Sequence, residues 1–116
     1  MKEKWLTGFK LLCKREGRLG SWNTPFVVLL YSTHFITTPK RGWGPLAVFG
    51  SLENAECFMS RHDPDVWGEH QVWSIYRCTY IPSKERCLYV SGGIKFRSLP
   101  KGTRLASKVK LTRRVV

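Results

Sequence analysis

The sequence predicts an α+β domain, in which a mostly antiparallel β-sheet of about six or seven short strands packs on one helix at about residues 51–61. Three observations favour this class. Apolar residues recur with a period of two along several short runs, one segment alone has helical spacing, and clusters of Gly and Pro separate the runs. The 116 residues, 42% of them apolar, suffice for a single packed domain over 1–116.

The first predicted strand carries both apolar and basic residues. Phe9, Leu11 and Cys13 alternate with Lys10 and Lys14. This period of two indicates a strand with an apolar face on one side and a lysine-bearing face on the other.

Two further strands are predicted before the helix. The β-branched and aromatic run over residues 26–31 favours a buried strand, and a loop rich in Pro and Gly follows it over residues 37–45. A short apolar run over residues 46–49 then predicts another strand, which Gly50 ends.

The helix is predicted from its cap and its spacing. Ser51 is a favourable N-cap, and Glu53 lies in the first turn, where a carboxylate suits the helix dipole. The apolar positions of this segment fall on one helical face, and Asp63-Pro64 ends it. These apolar residues are Leu52, Ala55, Phe58 and Met59.

The second half of the chain is predicted to be mainly β-strand. Residues 71–81 form the strongest strand signal and are apolar on both faces, which indicates a central strand. Residues 86–90 and 94–96 flank a Ser-Gly-Gly turn and predict a hairpin. Residues 99–102 have turn chemistry. In the last strand, Val109 and Leu111 alternate with Lys108, Lys110 and Thr112. The two lysines give this strand one basic face.

The thiols and the N-terminus predict a cytoplasmic setting without a metal. Cys13, Cys57, Cys78 and Cys87 are widely spaced and include no Cys-x-x-Cys pair, and no export signal or membrane-length apolar run is present. We therefore expect reduced thiols and no membrane association. His62 and His70 match no zinc-ligand spacing, so we expect no metal and no cofactor.

Charge gives the main functional indication. The chain has 20 Lys and Arg against 8 Asp and Glu, a formal net charge of +12, which favours a polyanionic partner. The cations concentrate near both termini, with interleaved aromatic residues. The predicted nucleic-acid-binding residues are Lys95, Arg97, Lys101, Arg104, Lys108, Lys110, Arg113 and Arg114, and a secondary basic patch comprises Lys10, Lys14, Arg15 and Arg18. Solubility, or the protection of edge strands by charge, explains the same residues about as well.

Enzymatic signals are weaker. No nucleophile elbow or phosphate-binding loop is present, and Gly92-Gly93 fits a hairpin turn better than a phosphate cradle. The acidic middle of the chain includes pairs that could act as acid and base, although a solvated helix face and loop explain them equally well. These residues are Glu53, Glu56, Asp63, Asp65 and Glu69. We assign no catalytic residue and lean towards a non-enzymatic protein.

Three segments resemble known proteins. Residues 44–58, Trp73 to Tyr80, and Leu99-Pro-Lys-Gly-Thr-Arg-Leu-Ala106 resemble small uncharacterised proteins of tailed bacteriophages and prophages. That resemblance implies a viral protein acting in the host cytoplasm. The charge makes nucleic acid or a nucleic-acid-handling host complex its expected partner, and a structural subunit of a phage assembly is a further alternative. The strand–helix–strand order is also similar to ADP-ribosyltransferase-like folds. That likeness implies a nucleotide cofactor near Tyr31 and His34 as the enzymatic alternative.

Overall fold

The fold is built around a small closed β-barrel. The computed structural model describes residues 4–15, 18–21, 31–39, 44–61, 72–85, 89–90, 94–95 and 99–116. Within these ranges the elements follow in the order β1 (Leu6–Arg15), β2 (Arg18–Ser21), β3 (Leu46–Phe49), α1 (Leu52–Arg61), β4 (Val72–Pro82), β5 (Tyr89–Val90), β6 (Ile94–Lys95) and β7 (Thr103–Arg114).

Four of the described strands close the barrel, and every pairing is antiparallel. β1 pairs with β4 from Leu6↔Tyr80 to Lys14↔Val72, and β4 pairs with β7. β7 pairs with β3, and β3 returns to β1 at Phe9↔Phe49. The barrel has no free edge where this circuit is complete.

Beyond the end of β3, the strand β2 and residues 31–39 continue the wall of the barrel. The strand β2 pairs with the second half of β1. Leu19 of β2 then bridges to Tyr31, and Thr37 bridges to Val109 of β7. The segment of residues 31–39 therefore lies between β2 and β7 and extends the wall where β3 has ended.

The sheet has apolar clusters on both of its faces. The barrel interior holds buried side chains from every strand of the circuit, among them Leu12, Val48, Cys78 and Leu111. The helix covers part of the outer face, where its apolar side packs over Leu11, Phe49 and Ile75. β1 and β4 are therefore covered on both faces where the helix packs on them.

The helix begins as the sequence predicts. The Ser51 hydroxyl accepts a hydrogen bond from the backbone N–H of Asn54 at 3.2 Å, which confirms the N-cap. Ala55 is fully buried, and the Phe58 ring lies 5.7 Å from the Phe49 ring. The cap and this apolar face fix the helix against the outer side of the sheet.

The predicted class is confirmed in its main features and not in its strand count. Among the described residues, one helix packs on an antiparallel sheet, and the pairs Tyr89↔Lys95 and Val90↔Ile94 confirm the hairpin. A sheet of about six or seven strands is not confirmed, because four strands close a barrel and the hairpin strands pair with each other. Residues 26–30 of the predicted buried strand lie outside the described residues, as do Asp63-Pro64. Within the described ranges, no helix is long and apolar enough to cross a membrane.

Among the described glycines, the one in the turn before β7 has the most restrictive surroundings. Gly102 has φ +84° and packs directly on the Asn54 side chain, so a methyl group there would overlap the Asn54 amide. We expect Gly102→Ala to lower the free energy of unfolding by about 2 kcal/mol, because an L-residue is strained at this φ and the helix N-terminus must move. Chemical denaturation measures the change.

Gly50→Ala is the matched control for that substitution. A Cβ on Gly50 would meet Arg104 Nε at an ordinary contact distance of 3.5 Å. We expect a change within about 0.5 kcal/mol. Equal losses of stability in the two variants would contradict the conformational argument.

Candidate nucleic-acid interface

A row of cations runs along the outer face of the sheet where β4 meets β7. The register pairs Lys108 with Ile81, Lys110 with Thr79 and Arg113 with Arg77. Cross-strand partners share a face, and the intervening residues Cys78 and Tyr80 point into the barrel. Lys110, Arg113 and Arg77 are exposed, and Lys108 is half-buried.

A β-bulge determines which cations belong to this row. The register shifts between Arg77 and Cys78, so that Arg113 lies opposite Arg77 while Leu111 lies opposite Cys78. Thr112 is the extra residue, and its hydroxyl donates to the Arg77 carbonyl oxygen at 2.8 Å. An unbroken alternation from Lys110 would put Thr112 on the outer face and Arg113 on the inner one. The bulge brings Arg113 to the outer face instead.

The two arginines line a shallow open groove of about 270 Å³. Its other lining residues are Thr7, Thr79 and Thr112. Thr7 of β1 lies directly opposite Thr79 of β4, so the groove crosses three adjacent strands. Guanidinium groups bind phosphate oxygens in a bidentate manner, and threonine hydroxyls donate to the same oxygens. The groove is open to solvent, so a phosphate group of an extended chain can reach these side chains.

The other predicted cations of β7 and its preceding turn do not join this row. Lys101 is exposed in the turn before β7. The extended chain between Lys101 and Arg113 spans on the order of 30 Å, so the two side chains lie far apart. Arg104 lies opposite Val48, whose side chain is in the barrel interior, and extends over Gly50 at the barrel end. Arg114 is exposed, pairs with Tyr76, and donates from Nε to the Val116 carbonyl oxygen at 3.0 Å.

The prediction of Lys10 as part of the secondary basic patch is wrong. Its side chain is 0% exposed, because the second face of β1 forms the barrel interior and not a solvated surface. The Lys10 ammonium donates to the Ala47 carbonyl oxygen at 2.5 Å and lies 5.0 Å from the centre of the Tyr31 ring. A cation–π contact and a hydrogen bond offset part of the cost of burying this charge. Lys10 is therefore unavailable to an external partner.

Lys10 and Cys78 form a buried titratable pair. Burial lowers the pKa of Lys10 from 10.5 to about 7, and the opposing influence of Cys78 is smaller. Burial raises the pKa of the Cys78 thiol from 9.0 to about 12, against the opposing effects of Lys10 and the Gly8 backbone. Both groups are thus driven towards their neutral forms inside the barrel.

The remaining predicted basic residues are placed by the strands that carry them. Lys14 and Arg15 lie at the end of β1, Arg18 begins β2, and Lys95 ends β6. Arg97 lies outside the described residues. The participation of these residues in an interface stays a prediction.

The residues considered for catalysis or metal binding are dispersed where they are described. Glu53 and Glu56 are exposed on the helix, whereas Asp63, Asp65 and Glu69 lie outside the described residues. The Tyr31 ring is in the barrel core and His34 is exposed in a bend.

Three of the four thiols lie in the described part of the chain. Cys13 and Cys78 are buried and Cys57 is exposed, while Cys87, His62 and His70 lie outside the described residues. The described part of the chain contains no cluster of three or more potential metal ligands.

Sequence reasoning missed Arg77, Thr7 and Thr79 as residues of the groove. The pattern of residues 71–81 predicts apolar side chains on both faces, yet Arg77 is exposed and Thr79 is half-buried. A single arginine within an otherwise apolar run is the signal that could have found them. It indicates the point at which the strand emerges from beneath the helix.

Comparisons of the chain with protein-family models, with curated proteins and with solved structures gave no significant match. The resemblances to phage proteins and to ADP-ribosyltransferase-like folds, together with the host-cytoplasm setting, therefore stay predictions.

Proposed function

We propose that this protein binds nucleic acid through the outer face of β4 and β7, with Arg77, Lys110 and Arg113 in contact with backbone phosphates. One observation carries the proposal. Arg77 lies directly opposite Arg113 on two adjacent exposed strand positions, and three threonines complete the groove between them. Like charges in a cross-strand pair repel each other, and a bound phosphate would turn that repulsion into attraction.

The surrounding charge supports the same partner. The formal net charge is +12, and the carboxylates among the described residues are on other elements: Glu53 and Glu56 on the helix, and Glu85 in the loop after β4. A polyanion therefore meets a face on which Lys110, Arg77 and Arg113 dominate. Association driven by such a field releases counterions and depends strongly on salt.

The arginine pair provides the test. We expect Arg77→Ser/Arg113→Ser to weaken binding of a labelled oligonucleotide by about tenfold or more at low salt, because each charge-assisted phosphate contact contributes about 1.5–3 kcal/mol. The slope of log K against log salt should become shallower by about 0.7 for each single-strand phosphate that the variant no longer neutralises. Fluorescence anisotropy at several salt concentrations measures both quantities.

A double variant with the same change in charge is the control. Lys84 and Lys101 are both exposed and do not line the groove: Lys84 follows the end of β4, and Lys101 lies in the turn before β7. Lys84→Ser/Lys101→Ser should retain binding within about threefold, since only screened long-range attraction is removed. Equal weakening of binding in the two double variants would mean that net charge, and not this face, determines binding.

A further inference from the structure

An exposed apolar loop lies beside the cation row. Phe35 is 49% exposed and Ile36 is 46% exposed, in the segment that extends the barrel wall. The loop is held at both ends: Tyr31 donates its backbone N–H to Leu19 at 2.9 Å, and Thr37 and Val109 exchange two backbone hydrogen bonds. Tyr31 and Thr37 are themselves buried. Phe35 is thus presented to solvent from a backbone that is fixed on either side.

The bridge to β7 positions this loop relative to the cations. Thr37 pairs with Val109, and both side chains are buried. Along an extended chain the neighbouring residues face the opposite way, so Ile36 faces outward, as does Lys110 beside Val109. Around the wall the order is β1, β4, β7 and then this segment. Adjacent strands are about 4.8 Å apart, so the threonines, the arginines, Lys110 and Ile36 form one continuous band, and Phe35 directly precedes Ile36 in an exposed bend.

The composition of this band distinguishes between forms of nucleic acid. An exposed Phe ring has no hydrogen-bonding group, and burying it against another flat apolar surface is favourable. Unpaired bases present such a surface, whereas the bases of a duplex are already stacked on one another. Resting on the proposed function, we infer that the preferred partner is single-stranded nucleic acid, with its phosphates along Arg77, Lys110 and Arg113 and one base stacked on Phe35.

The test compares one strand with its duplex. The probes are a labelled single-stranded DNA and the blunt duplex of the same length, titrated with wild type, Phe35→Ala and Phe35→Tyr. We expect Phe35→Ala to weaken single-strand binding by about 5- to 100-fold, the range for loss of one stacked base. Duplex binding and the salt slope should be unchanged, because the phosphate contacts remain. Phe35→Tyr keeps an aromatic ring and should retain single-strand affinity within about twofold.

The possible outcomes separate this inference from the proposed function. If Phe35→Ala leaves single-strand affinity unchanged, or weakens single-strand and duplex binding equally, the stacking inference is wrong while nucleic-acid binding stands. If wild type binds neither probe even at low salt, both are wrong, and the loop and the cation row require a different partner. Circular dichroism of each variant confirms that it is folded.

Discussion

Lys10→Met is expected to raise the free energy of unfolding by about 2–3 kcal/mol at pH 7. Lys10 is fully buried, and burial lowers its pKa from 10.5 to about 7, so folding at neutral pH either desolvates a charge or releases a proton. Methionine is unbranched, is of similar length and carries no charge. Loss of the hydrogen bond to Ala47 and of the Tyr31 interaction offsets part of the gain. Urea denaturation at pH 7 measures the difference.

Lys10→Met should also abolish one pH dependence of the free energy of unfolding. Between about pH 7 and pH 10.5 the unfolded chain keeps the Lys10 proton and the folded chain has released it, so the unfolded state binds more protons and stability rises with pH. The rise approaches about 1.4 kcal/mol per pH unit and amounts to about 2 kcal/mol from pH 7 to pH 9, because the folded-state group is still half protonated at pH 7. Above about pH 9, Cys78 has the opposite effect on stability. Its pKa is about 12 in the folded state and 9.0 in the unfolded state, so the unfolded state loses this proton first and stability falls as the pH rises. Burial also raises the pKa of Tyr80, which adds to the loss of stability at high pH.

Lys110→Met is the control for both measurements. It makes the same chemical change on the same sheet, at an exposed position of the outer face. Its stability should stay within about 0.5 kcal/mol of wild type, and its pH profile should be that of wild type. Identical pH profiles for wild type and Lys10→Met would contradict the assignment of the slope to Lys10.

Phe49→Ala is expected to lower the free energy of unfolding by about 3–5 kcal/mol. Phe49 is 2% exposed, packs with Leu11 and Ile75, and lies 5.7 Å from the Phe58 ring of the helix. Its removal leaves a cavity between the sheet and α1 that these neighbours fill only in part. Chemical denaturation followed by circular dichroism reports the loss of stability.

Phe35→Ala supplies the comparison for that result. The same atoms are removed from a ring that is 49% exposed, so we expect a loss of less than about 1 kcal/mol. A loss below about 1 kcal/mol for Phe49→Ala as well would mean that the helix is not held through this ring.

Helix caps and turns can be predicted from the sequence, whereas the closing of the sheet into a barrel cannot. The helix follows from Ser51 and the spacing of its apolar face. A turn also forms at Pro100 and Gly102, but one residue later than predicted: the Thr103 N–H donates to the Pro100 carbonyl oxygen, so the turn spans residues 100–103. A period of two also predicts a strand around Lys10. It does not reveal what covers each face, because the covering strands come from distant parts of the chain. The pattern therefore assigns Lys10 to a surface, although the lysine-bearing face of β1 is the barrel interior.

The candidate site is predictable to a similar extent. The basic character of Lys108, Lys110 and Arg113 is evident, whereas their grouping depends on the bulge at Thr112 and on the strand opposite. Arg77 is distant from them in sequence and becomes their neighbour through strand pairing. Neither the bulge nor the strand pairing can be detected from the alternation of residues in the sequence. Alternation alone therefore does not show that Arg113, and not Arg114, lies on the outer face.

The circuit of the barrel also sets the order in which the chain can fold. β1 and β2 pair locally, whereas Leu6 pairs with Tyr80, Leu46 with Ala106 and Thr37 with Val109, so these seams of the wall join residues distant in sequence. Such pairings close long loops before any contact compensates for the entropy of closure, which places the folding of this topology among the slower single domains. During synthesis, β3 and β4 must therefore wait for β7 with their edges open, and the barrel closes only after its last strand has left the ribosome.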